Sequence, residues 1–286
     1  MQALKYINYI KKDIPVLLEA DCCVCGGGTA GVPAAVMAAR GGSSTIIVEK
    51  GVAMGGAQTR ALVLPFMPTF VEGSDTPLIT EIKKRMLDEG IDMDDKVTAF
   101  GWFNPEKLAY VYDRMLEEAG VKILYNADLI DAVTEDKKIE YIIVNTIEGL
   151  IAIKAGVFID CTGDAVLSRI SGIKTEKGFE KTGNNQPMSF RFEMGGIDLD
   201  RLYEYTRSIN DNWCATKPPY FEIALARHRD IKYALEPFFV AGYERGELTE
   251  EDIEYFQAFT IIGKPGCMSM NRSEEHTSEL QSHSFI

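Results

Sequence analysis

Residues 20–49 constrain the fold of this chain more than any other segment. They run Ala20-Asp21-Cys22-Cys23-Val24-Cys25, then Gly26-Gly27-Gly28-Thr29-Ala30-Gly31, then a small-residue stretch, then Ile46-Ile47-Val48-Glu49. The order is strand, glycine turn, helix, strand, acid. Gly26, Gly28 and Gly31 fit G-x-G-x-x-G, and Glu49 follows Gly26 by 23 positions. Each part has a physical task. Gly26 allows a tight turn out of the strand, Gly28 lets a pyrophosphate approach the backbone, and Gly31 lets the helix lie close on the sheet. The helix N-terminus, at Thr29 and Ala30, then offers N–H groups to the phosphate charge. Glu49 can accept hydrogen bonds from an adenosine ribose. A glycine-rich turn in some other α/β protein would explain the glycines but not the acid.

Composition narrows the classes. The chain has 286 residues, 46% hydrophobic, enough for one large or two ordinary domains with a core. A net charge of −13 argues against nucleic acid and against anionic membrane surfaces as partners. No apolar run reaches the roughly 18 residues of a transmembrane helix. The first 12 residues have lysines but no apolar segment of a secretory signal. The six cysteines, Cys22, Cys23, Cys25, Cys161, Cys214 and Cys267, contain no C-x-x-C pair, so spacing supports neither zinc nor an iron–sulfur cluster. A reduced cytoplasmic protein is the simplest expectation.

Along the chain, residues 29–40 read as an alanine-rich helix with Pro33 in its first turn and Gly41-Gly42 at its end. Residues 78–89 read as a helix capped by Asp75 or Thr76, with Pro77 at its start. Residues 105–119 form the clearest helix. Asn104 caps it, Gly120 closes it, and Leu108, Val111, Tyr112, Met115, Leu116 and Ala119 make one stripe. Residues 123–125, 139–147 and 150–153 are expected to form an antiparallel meander, with turns at Glu135-Asp136-Lys137 and Gly149. Residues 156–161 then read as a separate short strand, ending in Asp160-Cys161-Thr162-Gly163-Asp164 and leading into a helix over 165–170. Further on, 186–194 reads as a strand, 198–209 and 249–259 as helices, and 221–239 as partly helical.

Residues 272–286, RSEEHTSELQSHSFI, lack periodicity. Their first eleven residues resemble the translation of a common sequencing adapter. The expectation is that the natural sequence is cut near Asn271 and that 272–286 is an artefactual tail, which removes His276 and His283 from any site.

Several features line up in order: the glycine fingerprint with Glu49, the run from Gly51 through Gly55-Gly56-Ala57-Gln58-Thr59, the meander, Thr162-Gly163-Asp164, and Gln186-Pro187-Met188-Ser189-Phe190. This combination resembles the FAD-dependent oxidoreductase family related to the flavoprotein part of heterodisulfide reductase. The resemblance implies an α/β fold: a Rossmann-type, glutathione-reductase-like FAD-binding domain with an antiparallel β-meander, plus an incomplete α+β substrate domain. The expected layout is an N-terminal segment at 1–19, the FAD-binding domain at 20–66 and 105–172, an inserted segment at 67–104, and a truncated substrate domain at 173–271. By the same resemblance, Gly26, Gly28, Thr29, Ala30 and Gly31 cradle the FAD pyrophosphate. Glu49 binds the ribose and Lys50 lies beside the adenosine. Gly55, Gly56, Gln58 and Thr59 run along the ribityl and flavin, and Thr162, Gly163 and Asp164 close on the cofactor. NAD(P) is a candidate electron partner. The iron–sulfur motif that some relatives carry is absent from this chain.

Hydride chemistry belongs to the flavin, so residues nearest its ring carry the catalytic expectation: Gln58, Thr59 and Arg60. Arg60 can stabilise reduced flavin or hold an acidic substrate, against a surface ion pair. Arg191 can reach a substrate carboxylate, against pairing at a core edge. His228, within Arg227-His228-Arg229, reads as a solvated helix face. Trp102 and Trp213 read as packing residues that can also stack on a ring. Cys161 has no evident disulfide partner. The expected function is electron or hydride transfer between a small-molecule substrate and FAD. Competing readings are a non-redox flavoprotein of cyclase or lyase type, an NAD-only dehydrogenase, and an inactive fragment.

Overall fold

The computed structural model describes residues 13–66, 76–89, 102–185, 189–209, 222–226 and 235–273. Asp75, Gln186-Pro187-Met188, Trp213, Cys214, Arg227-His228-Arg229 and residues 274–286 lie outside the described set. The chain divides into two compact units, one from residues 1–54 with 115–175, the other from 55–114 with 176–286.

The first unit is built on a six-stranded sheet of order β3-β2-β1-β6-β5-β4. Its strands are β1 (Val16–Cys25), β2 (Thr45–Val48), β3 (Lys122–Leu124), β4 (Asp128–Glu135), β5 (Lys138–Thr146) and β6 (Gly149–Asp160). β3, β2, β1 and β6 run parallel, and β6, β5 and β4 continue the same sheet as antiparallel neighbours. Consecutive residues Cys22, Cys23, Val24 and Cys25 are all buried, as are Ile46, Ile47 and Val48. Burial without alternation marks central parallel strands covered on both faces. Cys23, Cys25, Ile46, Val48, Ile142, Val144, Ile151, Ile153 and Leu167 form one apolar cluster. Each large aliphatic chain there contributes about 1.5–3 kcal/mol by leaving water. α1 (Gly31–Arg40) follows β1 and buries Val32, Ala35 and Val36.

Three strand expectations are corrected. Residues 123–125 do not belong to the meander: Lys122–Leu124 pairs parallel with β2 at the opposite edge, and the first meander strand is β4. That strand, Asp-Leu-Ile-Asp-Ala-Val-Thr-Glu, is half polar because it is an edge, which hid it from a hydrophobic scan. Residues 150–153 and 156–161 are one twelve-residue strand rather than two. β6 pairs with β5 over its first half and with β1 through Asp160. The turn at Asp136-Lys137 stands as expected, with φ of 47° and 63°, the signs a two-residue I′ hairpin turn needs.

Two helices match their sequence signals closely. α2 (Pro77–Asp88) has the Thr76 hydroxyl accepting from the Ile79 N–H. α3 (Pro105–Glu118) has Asn104 Oδ1 accepting from the N–H groups of Glu106 and Lys107. Its stripe from Leu108 to Leu116 is buried. α4 (Val166–Ile170) follows β6.

The second unit holds an antiparallel sheet of order β7-β10-β9-β8, from β7 (Ser189–Met194), β8 (Glu222–Ala226), β9 (Tyr255–Thr260) and β10 (Met268–Ser273). Helices α5 (Leu199–Ile209), α6 (Glu236–Glu244) and α7 (Glu250–Glu254) accompany it. One sheet face is apolar, with Ile223, Ala258, Met268, Phe256 and Met270 packed against Leu199, Leu202 and Tyr203. The helix expected over 249–259 is corrected: α7 stops at Glu254 and residues 255–260 are strand. Its start is a capping box, in which Thr249 Oγ1 accepts from the Asp252 N–H and Asp252 Oδ2 accepts from the Thr249 N–H. The following Tyr-Phe-Gln-Ala-Phe-Thr favours strand once β8 and β10 flank it.

Candidate functional site

In the first unit the fingerprint turn leaves β1 at Gly26, whose φ is +96°. A Cβ there would stand 2.7 Å from the Cys161 carbonyl oxygen at the end of β6. A Cβ on Gly31 would strike the Gly26 carbonyl oxygen, so the first helical turn lies directly on the strand end. Gly28 O accepts from the N–H groups of Gly31 and Val32. The N–H groups of Gly28 and Ala30 have no acceptor among the described residues. Ala30, the N-cap, supplies no capping side chain. A turn left in this state presents donors and the positive end of a helix to a negative charge.

Glu49 lies buried at the end of β2. Its Oε2 accepts from the Gly27 N–H at 2.8 Å and its Oε1 from the Gly51 N–H at 2.6 Å. The carboxylate therefore ties the glycine turn to the β2 end, and a carboxylate's two oxygens can accept from more donors than these two. A Cβ on Gly27 would strike Met54 Sδ and stand 3.2 Å from Glu49 Oε2, so a side chain there would require Met54 to move. Lys50, beside it, is exposed.

Opposite the turn, Asp160 ends β6 and organises the next residues. Its Oδ1 accepts from the Thr162 N–H (3.0 Å) and Oγ1 (2.6 Å), and its Oδ2 from the Ser168 N–H and Oγ, each at 2.8 Å. Burial pushes this carboxyl up, but the hydrogen bonds from Thr162 and Ser168 outweigh it and hold it below the usual range. Thr162 Oγ1 accepts from the Val166 N–H, so its side chain is used in capping α4. Gly163 and Asp164 are exposed, and a Cβ on Gly163 would meet nothing within 4 Å. Asp160 had no role in the sequence reading, although D-x-T at a strand end is an Asx-turn signal. Cys161 is half-buried and its N–H donates to Cys25 O. Burial pushes its thiol up, which disfavours the reactive thiolate.

In the second unit, residues 55–63 form a self-bonded turn. The Gln58, Arg60 and Val63 N–H groups donate to Gly55 O, Gly56 O and Ala57 O. Gly55 has φ +102°, and a Cβ there would strike Thr59 Cγ2, so the turn itself demands glycine at this position. Gln58 and Thr59 are buried, while Arg60 is exposed. Gln58 Oε1 accepts from the Tyr112 hydroxyl at 2.9 Å. Tyr112 was legible only as a member of the α3 stripe. Burial pushes its phenol above the ordinary value of about 10. The folded state holds that proton more tightly, so the stability it contributes is complete below about pH 10 and is lost as pH rises further. Tyr112→Phe is expected to remove this alkaline loss and to cost about 1 kcal/mol at neutral pH through the Gln58 bond. Urea midpoints near neutrality and above about pH 10 check both parts.

Two further candidates are placed by the same unit. Trp102 is buried with its ring centroid 5.6 Å from that of Phe259, a packing role. Arg191 donates to the Leu62 carbonyl at 3.1 Å and lies over the Phe259 ring at 5.4 Å. Among the described residues no cluster of His, Cys, Asp and Glu is placed to hold a metal, and no helix is long and apolar enough to cross a membrane.

The solved structures give the fold by likeness. The flavin-dependent brominase Bmp2 is similar over 93% of this chain and 58% of its own, at 12% identity and a TM-score of 0.55. p-Nitrophenol 4-monooxygenase PnpA from Pseudomonas putida DLL-E4 is similar over 93% of this chain and 61% of its own, at 13% identity and a TM-score of 0.50. The chain thus spans about three fifths of the length of these structures. No curated protein sequence matches this one. Residues 21–283 match the family described as FAD dependent oxidoreductase, and that match covers most of the chain. The chain belongs to the FAD-dependent oxidoreductase family.

Proposed function

We propose that this chain binds FAD and belongs to an enzyme that moves hydride or electrons between a small-molecule substrate and that cofactor. The observation that carries the reading is Gly163. Its φ lies outside the left-handed range, and among the described residues no atom stands within 4 Å of where a side chain would begin. Nothing in the packing of the described residues demands glycine there, and a flat cofactor lying against the β6 end would use the open space. The N–H groups of Gly28 and Ala30, without an acceptor among the described residues, fit the pyrophosphate of the same molecule.

When bound, FAD supplies the redox chemistry. The chain's residues would act as follows. Gly26, Gly28, Thr29, Ala30 and Gly31 hold the pyrophosphate, and Glu49 accepts from ribose hydroxyls, with Lys50 beside the adenosine. Thr162, Gly163 and Asp164 line the cofactor with backbone, since the Thr162 hydroxyl is committed to Asp160 and Val166. Gly55, Gly56, Gln58 and Thr59 keep their assignment to the ribityl and flavin on the family resemblance, and Arg60, exposed beside them, is the candidate for an anionic substrate. The kinship with the flavoprotein part of heterodisulfide reductase, NAD(P) as electron partner and a cytoplasmic setting belong to the same proposal. The free thiols of all five described cysteines suit a reducing compartment.

Purified protein is expected to carry FAD, with Gly28→Val and Gly163→Val each lowering FAD content at least tenfold, an effect of about 1.4 kcal/mol or more. Gly163→Val should leave the urea midpoint of the cofactor-free chain unchanged, because its side chain meets open space. FAD content equal to wild type in both variants ends the site assignment. Bleaching of the bound flavin by substrate without oxygen separates a redox enzyme from a cyclase or lyase.

A further inference from the structure

The Leu62 carbonyl is held by two donors from neighbouring strands. Arg191 Nη1 on β7 donates at 3.1 Å, and Ser269 Oγ on β10 donates at 3.2 Å. Leu62 itself has φ +54°, a left-handed conformation that an L side chain other than Asn or Asp rarely holds unaided. Ser269 is fully buried and Arg191 is seated over the Phe259 ring, so neither donor is a loose surface group. β10 and β7 place them on one sheet face: Asn271 pairs in register with Arg191, and Ser269 lies two residues before it on the same strand. Leu62 is the last residue but one of the self-bonded turn that carries Gln58, Thr59 and Arg60.

We infer that Arg191 and Ser269 are positioning residues that clamp residues 55–63 through the Leu62 carbonyl, fixing where Gln58, Thr59 and Arg60 stand. The assignment of that turn to the flavin rests on the proposed function; the clamp itself does not. Tyr112 holds Gln58 in the middle of the turn, and the β7–β10 pair holds Leu62 near its end. A displacement of those strands reaches the turn at the Leu62 carbonyl.

Amide hydrogen exchange of the 286-residue chain tests this. Arg191→Met is expected to raise exchange at the Arg60 and Val63 N–H groups about tenfold, as loss of a hydrogen bond from a charged donor does. Ser269→Ala gives a smaller rise, and Arg191→Lys, which keeps one donor, retains most of the protection. Leu62→Asn tolerates the left-handed backbone, so Arg191→Met on that background is expected to recover protection. Exchange in β1 and β6 stays unchanged. With FAD bound, Arg191→Met shifts the flavin absorbance spectrum and Arg191→Lys restores it. Unchanged exchange at Arg60 and Val63 in Arg191→Met overturns the clamp, whatever the flavin does. A chain that takes up no FAD but shows the rise supports the clamp and ends the functional reading.

Discussion

Gly31→Val is expected to leave a chain that retains no FAD and unfolds at a much lower urea concentration than wild type. The added Cβ would strike the Gly26 carbonyl oxygen and also stand 3.4 Å from Cys161 Cβ. Neither neighbour is a flexible side-chain end. The carbonyl belongs to the turn at the end of β1, and Gly26 N is itself fixed by a 2.8 Å bond to Val48 O. Overpacking a site with some freedom costs about 1–3 kcal/mol. Here α1 must lift from the sheet, so the loss should lie at or above the top of that range. Lifting α1 also swings its N-terminal N–H groups out of line, so FAD is lost before the unfolding transition is reached. Gly31→Ala should behave the same way with a smaller loss. Urea unfolding of the cofactor-free chain together with measured FAD content checks both, and a Gly31→Val chain as stable as wild type would contradict the close packing of α1 on β1.

Glu49→Ala is expected to have the second largest effect, by a different route. Two buried backbone donors, Gly27 N–H and Gly51 N–H, lose their carboxylate acceptor at once. Leaving one buried donor unsatisfied costs about 1–3 kcal/mol, so the pair costs about 2–6 kcal/mol. Glu49→Gln should sit between, because an amide has one acceptor oxygen for two N–H groups and turns an NH2 against the other. The unfolding midpoint of the apo chain reads this loss directly. FAD titration then separates the ribose contribution: affinity should fall further in Glu49→Ala than the stability change alone explains. If Glu49→Gln equals wild type in the midpoint, the double acceptor role is wrong.

Much of the first unit was legible because its signals are local. Strand, glycine turn and helix at 20–40 are specified by residue types that each satisfy one steric demand, and Asn104 with Pro105 announces α3 by capping chemistry. What escaped was set by distant partners. Lys122–Leu124 carries no mark of lying beside β2 rather than in the meander. β6 reads as two pieces because Lys154 and Gly156 interrupt its apolar run, yet β1 runs alongside and makes it one strand. At 255–260 the capping box at Thr249 was a sound helix start, and the stop was dictated by β8 and β10, which lie elsewhere in the sequence. The same holds for the site. The glycines and Glu49 were found by spacing, but Gly55 proved necessary to its own turn. Asp160 and Tyr112 act through partners that no short motif contains.

The twelve-residue β6 has a consequence for how the chain reaches this state. Its pairing with β5 crosses a tight turn, whereas its pairing with β1 joins Cys25 to Asp160 across 135 positions. Closing a loop of that length costs about 4 kcal/mol of chain entropy, nearly all of it absent from the hairpins of the meander. Those hairpins can offer β1 a ready edge, and the parallel pairing must recover its entropy from the buried Cys22–Cys25 segment. The glycine turn and the Asp160 end of β6 face each other only once that pairing is made. The cradle is therefore the part of the first unit with the most search against it, and the part where a bound molecule returns the largest gain in cooperativity.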